Sequence, residues 1–458
     1  MSDIGFYCHG QTISFDRFCQ EVVHARQAVK KISGNKVLLF DADSYQFSIW
    51  LFALIFEKKH VLLPANAQAG TLSQLAAQCD ATAGTITLAN KKHIQCSNKN
   101  KKPDTEFHGL TRADFFKLFV GEMTFYTSGS TGQAKAINKS CQQLCLEMLT
   151  LKRQFSTLYK AVDTIVSTVS HQHIYGLLFK VLLPLLLGKV IVNQTFEYPE
   201  HINLLLAELA LAQPLMSANL VLLVSSPAHL QRLALDNVLA AQSPAFSAIF
   251  SSGGLLSLAT SQTLLQQMNI AVTEVYGSTE TGGIAWRCGQ KSLHEPWQAF
   301  PDIKLQVAID CQRLEIYSPY IVEQPYLTDD KVELLDSGQF LLKGRVDRTV
   351  KIEEKRVNLN QIERHLIDHP WVLEARIIVL NNKTNGLRKI LAAVVIFTPN
   401  GEQYFLENGK LAINNGLKQH LLNDIERICL PKKWRYLAQF PYNSQGKLVL
   451  SDLEKMFD

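Results

Sequence analysis

No C-x-x-C pair occurs among the nine cysteines of this 458-residue chain, and they are odd in number and scattered. Neither a zinc site nor a disulfide framework is indicated. Long apolar runs are also missing. The two most apolar segments, "SIWLFALIF" at 48–56 and "GLLFKVLLPLLLG" at 176–188, are too short or are broken by Lys180 and Pro184. No membrane span is expected. Charge of one sign is scarce as well: 46 basic against 41 acidic residues leave +5, too mild an excess to point to nucleic acid. The opening "MSDIGFYCHG" lacks the charged-then-apolar pattern of a secretion signal. A reducing cytoplasm is the simplest location. No internal repeat is apparent.

What is present is an ordinary globular composition, 47% hydrophobic and 19% charged. The length exceeds what one hydrophobic core serves, so two or more domains are expected. "SFDRFCQEVVHARQAVKKI" predicts an amphipathic helix capped by Ser14. "KVLLF" and "HVLLP" read as buried strands around the helix "YQFSIWLFALIFEKK". "DTIVSTV", "GKVIV", "ANLVLLVSS" and "FSAIFSSGG" continue the pattern, which argues for α/β layers with parallel pairing. Several of these strands end in small polar residues, where ligands of open α/β sheets sit. After Pro301 the texture changes to short alternating strands, and the last stretch mixes "NLNQIERHLIDH", "EARIIVL", "KILAAVVIF" and "LKQHLLNDIERICL". That predicts a small α+β unit. The lysine-rich "NKNKKPD" at 98–104 reads as a solvated loop.

Charge concentrates at the end. From Arg348 onward there are 17 Lys/Arg against 12 Asp/Glu, the whole excess. A basic terminal part suits an anionic partner, with a solvated surface as the default.

"YTSGSTGQAK", Tyr126 to Lys135, cannot pack a core. Its glycines let the backbone turn, so that amides and the hydroxyls of Thr127, Ser128, Ser130 and Thr131 can converge on an anion. Read alone, such a cluster is more often a flexible polar linker. Four further segments decide between the two: "FSSGGLLS" at 250–257, "EVYGSTETGG" at 274–283, "KGRVDRTVKIEEKRVNLNQIE" at 343–363 and "PYNSQGKLVLSDL" at 441–453. Together, in this order, the five resemble the adenylate-forming (AMP-binding) superfamily of acyl-CoA synthetases, aryl-acid ligases, peptide-synthetase adenylation domains and firefly luciferase.

The resemblance implies a large N-terminal domain of layered α/β subdomains, residues 1–346, and a small mobile α+β lid, residues 347–458, with the hinge at Asp347. It implies that Thr127, Ser128, Gly129, Ser130, Thr131, Gly132 and Lys135 form the loop over the β- and γ-phosphates of ATP. The spacing is not that of a Walker A loop. Ala134 stands where proline is usual and Ala136 where glycine is common. Gly253 and Gly254 would let the backbone approach the adenine edge. In "YGSTETG" the resemblance implies Tyr276 on the adenine face, with Gly277 and Ser278 beside it and Thr279 on the α-phosphate. Glu280 would hold Mg²⁺, with Thr131 as a second ligand. In isolation "YGSTE" is equally a surface turn with a helix cap. Asp330 of "YLTDD" would bind ribose, with Arg345 as a second contact; Asp329 replaces the usual glycine. A surface ion pair is the plainer reading of Arg345 and Asp347. Lys447 corresponds to the adenylation lysine, clamping charge that develops as AMP passes to a carboxylate.

For the substrate, His173, Ile174, Gly176 and Gly282 are the implied acyl-binding positions. His173 falls at the aromatic gate; a satisfied core histidine is its plainer reading. Ile174 stands where amino-acid-activating relatives carry an aspartate, and an apolar side chain cannot hold an ammonium. An aryl or fatty acid is expected. The acceptor implied is a phosphopantetheine thiol, of coenzyme A or of an acyl carrier protein. Glu354 occupies a position usually glycine on the thiol's path. Compact ligases associated with fatty-acid-like or aryl-polyene biosynthesis are the nearest type. The alternatives are an adenylate-forming enzyme with another acceptor and a non-catalytic nucleotide-binding module.

Overall fold

The computed structural model describes residues 3–95, 107, 109–128, 134–196, 198–212, 220–236, 245–292, 295–308, 312–352, 355–381, 389–443 and 448–458. It divides into two compact units. The described residues up to 305, with 316–326, form the first; 306–315, 327–443 and 448–458 form the second. The expected boundary at 346/347 falls inside the second unit's span, so the hinge at Asp347 stays a proposal.

In the first unit the strands are β1 (Ile4–Cys8), β2 (Gln11–Ser14), β3 (Lys36–Phe40), β4 (His60–Leu63), β5 (Ala81–Gly84), β6 (Lys92–His93), β7 (Glu122–Ser128) and β8 (Ala134–Ser140). They continue with β9 (Thr164–Ser167), β10 (Val190–Val192), β11 (Val221–Ser225), β12 (Phe246–Ser251), β13 (Val272–Ser278), β14 (Gly282–Cys288) and β15 (Gln298–Ala299). Two sheets result, ordered β6-β5-β3-β4-β7-β8 and β15-β14-β13-β12-β11-β9-β10-β1-β2. Their centres are parallel, as the alternating pattern predicts: β3 with β4 and β5, β11 with β9 and β12. Such strands are buried on both faces, which is why "KVLLF" and "VLLVS" read as unbroken apolar runs.

The helices seal these faces. Ser14 caps Phe15–Val29, its hydroxyl accepting the Arg17 amide at 3.2 Å. Asp43 caps Ser44–Phe56, a helix apolar on all sides and buried almost throughout. A ring cluster of Phe15, Phe18, Phe52 and Phe115 fills the space beside it. Leu177–Leu182 is wound as a π-helix, and its Lys180 is fully buried. The ammonium donates to Gln194 O and Thr195 Oγ1, both at 2.9 Å. Burial pushes this lysine down to about 7.

β16 (Lys304–Val307), β17 (Arg313–Tyr317), β18 (Tyr326–Leu334) and β19 (Phe340–Arg345) form one sheet, most of it in the second unit; the division passes within β16, β17 and β18. β20 (Thr349–Ile352) pairs with β21 (Lys355–Asn358), and β22 (Val372–Asn381), β23 (Lys389–Phe397) and β24 (Lys433–Tyr436) form a third sheet. Its core joins Ile362, Leu366, Ile377, Ala393, Leu417 and Leu421. The expected α+β texture is there, with one difference. The long helix runs Pro399–Leu421, broken at Gly409 (φ 77°), and does not cover the whole of "LKQHLLNDIERICL". No described helix is long and apolar enough to cross a membrane.

Candidate active site

The first unit brings two hairpins together. β7 and β8 are antiparallel, with Thr127 opposite Lys135. The connecting residues Gly129, Ser130, Thr131 and Gly132 lie outside the described residues, as does the side chain of Ser128. β13 and β14 form the second hairpin, and "STET" is its tip. This tip is locked internally: the Ser278 amide donates to Thr281 Oγ1 at 2.9 Å, and the Thr281 amide returns to Ser278 Oγ at 3.2 Å. It is a turn, as the plainer reading had it, but it caps no helix, since β14 follows directly, and it is joined to the other hairpin.

Lys135 makes that junction. Its Nζ lies 2.6 Å from Glu280 Oε1. Burial raises the Glu280 carboxyl, but the Lys135 ammonium, its own amide and Ser278 outweigh that and hold it below the ordinary range. Four residues on, Lys139 is buried and donates to the carbonyl of Glu280 at 2.6 Å. Burial lowers this lysine, and the charges of Glu147 and Glu280 pull the other way. Glu147, on the helix Cys141–Gln154, accepts the Gly283 amide at 2.6 Å. Burial lifts its carboxyl to about 7.

The segment around Gly253 and Gly254 is held by a second buried acid. Glu274 receives a two-pronged ion pair from Arg287, at 2.7 and 3.0 Å, and the Leu256 amide at 3.1 Å. Ser252 Oγ donates to Val275 O at 2.8 Å. The Gly253–Gly254 turn is thereby fastened to β13. Gly253 has φ +89° and faces open space, so its missing Cβ answers a backbone requirement and leaves the turn accessible. Tyr276 is half-buried, its ring 5.4 Å from that of Trp297. Thr279 is half-buried at the tip.

Three other glycines serve packing. A Cβ on Gly277 would strike the carbonyl of Gly282, and one on Gly176 that of Ser170. Gly282 has φ +69°, and its Cβ would come within 2.5 Å of Glu147 Oε2. At the expected acyl positions, Ile174 is buried and His173 half-buried at the start of the turn Ile174–Gly176. The fully buried histidine is its neighbour His171, whose Nε2 bonds the Asp41 carbonyl at 2.9 Å. Burial and the Lys180 charge hold His171 well below the usual imidazole range.

In the second unit, Asp330 and Arg345 face each other across β18 and β19. Arg345 lies 3.5 Å from Asp330 and 3.7 Å from Asp329, and Arg313 lies 3.5 Å from Asp329. The Asp at the usual glycine position thus joins a four-membered ionic group. Asp347 lies in the turn Val346–Arg348. Lys447 and Glu354 lie outside the described residues.

Sequence reading missed Lys139, Glu147, Glu274 and Arg287. An acid and a base on apolar faces were the available signal: Glu147 sits among Leu144, Met148 and Leu151.

Residues 123–342 match the family described as AMP-binding enzyme. The chain is 29% identical over 131 residues to malpinin synthetase of Mortierella alpina, 29% of this chain but only 2% of that protein's length. It is 26% identical over 326 residues to 4-coumarate–CoA ligase of Halorhodospira halophila, covering 71% of this chain and 74% of the relative. A D-alanine–D-alanyl carrier protein ligase of Staphylococcus aureus is 29% identical over 123 residues, 27% and 24% of the two chains. Among solved structures, ATP-bound MatB from Rhodopseudomonas palustris superposes with a TM-score of 0.74 at 16% identity, over 99% of this chain and 95% of that one. Lys135, Lys139, Glu147, Glu274, Glu280 and Arg287 all fall within the stretch 123–342 that matches the AMP-binding enzyme family, and the likeness to MatB gives the fold of the chain.

Proposed function

We propose that the protein activates an aryl or fatty acid with ATP and passes the acyl group to a phosphopantetheine thiol of an acyl carrier protein or of coenzyme A. The observation that carries this reading is the Lys135–Glu280 pair, which joins the phosphate-loop hairpin to the "YGSTETG" turn. In the first step a carboxylate oxygen attacks the α-phosphorus. The bond to the bridging oxygen breaks and pyrophosphate leaves. In the second a thiolate attacks the acyl carbonyl and AMP departs. Two anions meet in the first step, so positive charge placed at the α-phosphate lowers the barrier.

Lys135 and the loop amides would hold the β- and γ-phosphates, Thr279 the α-phosphate, Tyr276 the adenine, and Asp330 with Arg345 the ribose. Lys447 would supply its ammonium from the mobile terminal unit, about Asp347 as hinge. Among the described residues no three acids, histidines or cysteines cluster to cage a metal. The single Glu280 carboxylate suits Mg²⁺, which keeps water and phosphate as its other ligands. Bound there, Mg²⁺ would neutralise developing phosphate charge.

Ile174 favours an acid without an α-ammonium. The relatives named for coenzyme A and carrier-protein ligation support a thiol acceptor of either kind, and the basic stretch after Arg348 favours an acidic carrier. The seven cysteines described are free thiols, consistent with a cytoplasmic site of action.

Pyrophosphate exchange across a panel of carboxylic acids tests the first step, and addition of coenzyme A or holo-carrier protein the second. Exchange with none of the acids would leave the nucleotide-binding module as the reading.

A further inference from the structure

Resting on Glu280 as the metal-binding carboxylate, we propose that Lys139 is a positioning residue: its buried ammonium fixes the main chain from which that carboxylate projects, while the buried Glu147 holds the other end of the turn.

Lys135, Ile137 and Lys139 share one face of β8, because side chains alternate along a strand. The two lysines therefore reach the same residue from one strand. Lys135 holds the carboxylate of Glu280 and Lys139 its carbonyl, each at 2.6 Å. Lys139 also points to the Tyr320 carbonyl at 3.4 Å, which Gln143 Nε2 meets at 3.1 Å. Tyr320 in turn donates its hydroxyl to Gly283 O at 2.5 Å. Glu147 completes the arrangement by accepting the Gly283 amide. The turn 280–283 is thus gripped at both ends by a buried base and a buried acid.

A neutral donor would satisfy one carbonyl at less desolvation cost than an ammonium. What the charge adds is stiffness exactly where a metal ligand begins: a charge-assisted bond is shorter and stronger than a neutral one. Groups behind a ligand commonly set metal affinity, and their loss costs about tenfold or more. The turn's own glycines cannot supply that rigidity.

The test compares Lys139→Met and the double variant Lys139→Met/Glu147→Gln with the parent chain. The double variant leaves no lone buried charge and keeps a carbonyl for the Gly283 amide, so it is expected to fold even where the single variant does not. Acid-dependent pyrophosphate release is titrated with Mg²⁺ at saturating ATP, and ATP binding is measured by calorimetry with and without Mg²⁺. Both variants are expected to need about tenfold more Mg²⁺ for half-maximal rate. The KM for the acid stays at the parental value, and ATP binding weakens only in the presence of Mg²⁺.

A folded double variant with parental Mg²⁺ dependence overturns the proposal. So does a uniform loss across kcat and every KM, or failure of the double variant to fold, since each marks the pair as purely structural. Should the parent bind Mg²⁺ and ATP together yet release no pyrophosphate with any acid, the proposed activity fails. The calorimetric arm still decides the role of Lys139.

Discussion

Lys135 and Glu280 stand 145 positions apart in sequence, and their side chains meet at 2.6 Å. The lysine occupies the carboxylate that a divalent cation would use. On the proposed reading, lysine and metal would compete for Glu280 until phosphate drew the lysine away. Lys135→Met is expected to tighten binding of Mg²⁺ alone while weakening Mg²⁺·ATP by about tenfold, the loss of one hydrogen bond to a charged group. Calorimetry with and without nucleotide reads both. Weaker binding in both titrations would show that the lysine supports the metal site and does not compete for it.

Lys447→Ala is expected to abolish acid-dependent pyrophosphate exchange yet spare thiol attack on a supplied acyl-adenylate. The two half-reactions need different residues at the α-phosphate, and only the first brings two anions together. Parallel loss of both half-reactions in single-turnover assays would remove Lys447 from its assigned role.

The glycines of the site should differ in how they tolerate a methyl group. Gly253→Ala meets open space at φ +89° and is expected to cost about 1–2 kcal/mol of backbone strain. Gly282→Ala adds a clash with buried Glu147 to the same strain and is expected to cost about 1–3 kcal/mol more. Gly277→Ala strikes backbone and should be no milder. Denaturant midpoints rank the three, and Gly253→Ala as the most damaging would contradict the order.

Glu147 gives a pH signature. Its carboxyl titrates near 7 in the fold, raised by burial from the ordinary 4.5. The folded chain then binds more protons than the unfolded chain between those values. The contribution of this group to stability is fullest below 4.5 and lost as pH rises through 7, by at most ~3 kcal/mol at 1.36 kcal/mol per unit. Glu147→Gln keeps the acceptor for Gly283 and should flatten that decline. Chemical denaturation at pH 5, 6, 7 and 8 measures it; an unchanged slope would assign the titration elsewhere.

What sequence reading reached was governed by distance along the chain. Ser14 as a cap and "KVLLF" as a buried strand follow from patterns within a few residues. The helix Pro399–Leu421 was hidden by its polar first half, although Thr398 and Pro399 form a cap-and-first-turn signal: the Thr398 hydroxyl accepts the Gly401 amide at 3.2 Å. At the site, "YGSTETG" was legible as a motif. Its supports were not, because Glu147 and Lys139 reach it across 136 and 141 positions. Only the assembled sheets bring them within bonding range.

The placement of β1 carries a consequence for how the chain matures. This strand lies against β10, with Phe6 opposite Ile191 and Tyr7 opposite Val192. It leaves the ribosome well ahead of its berth, whose residues emerge almost two hundred codons later. Until then only its β2 edge is paired, and a fragment lacking β1 and β2 would leave the β10 border bare. Such a border invites strands from other molecules, so heterologous expression of the trimmed piece should end in inclusion bodies where the full chain stays dispersed.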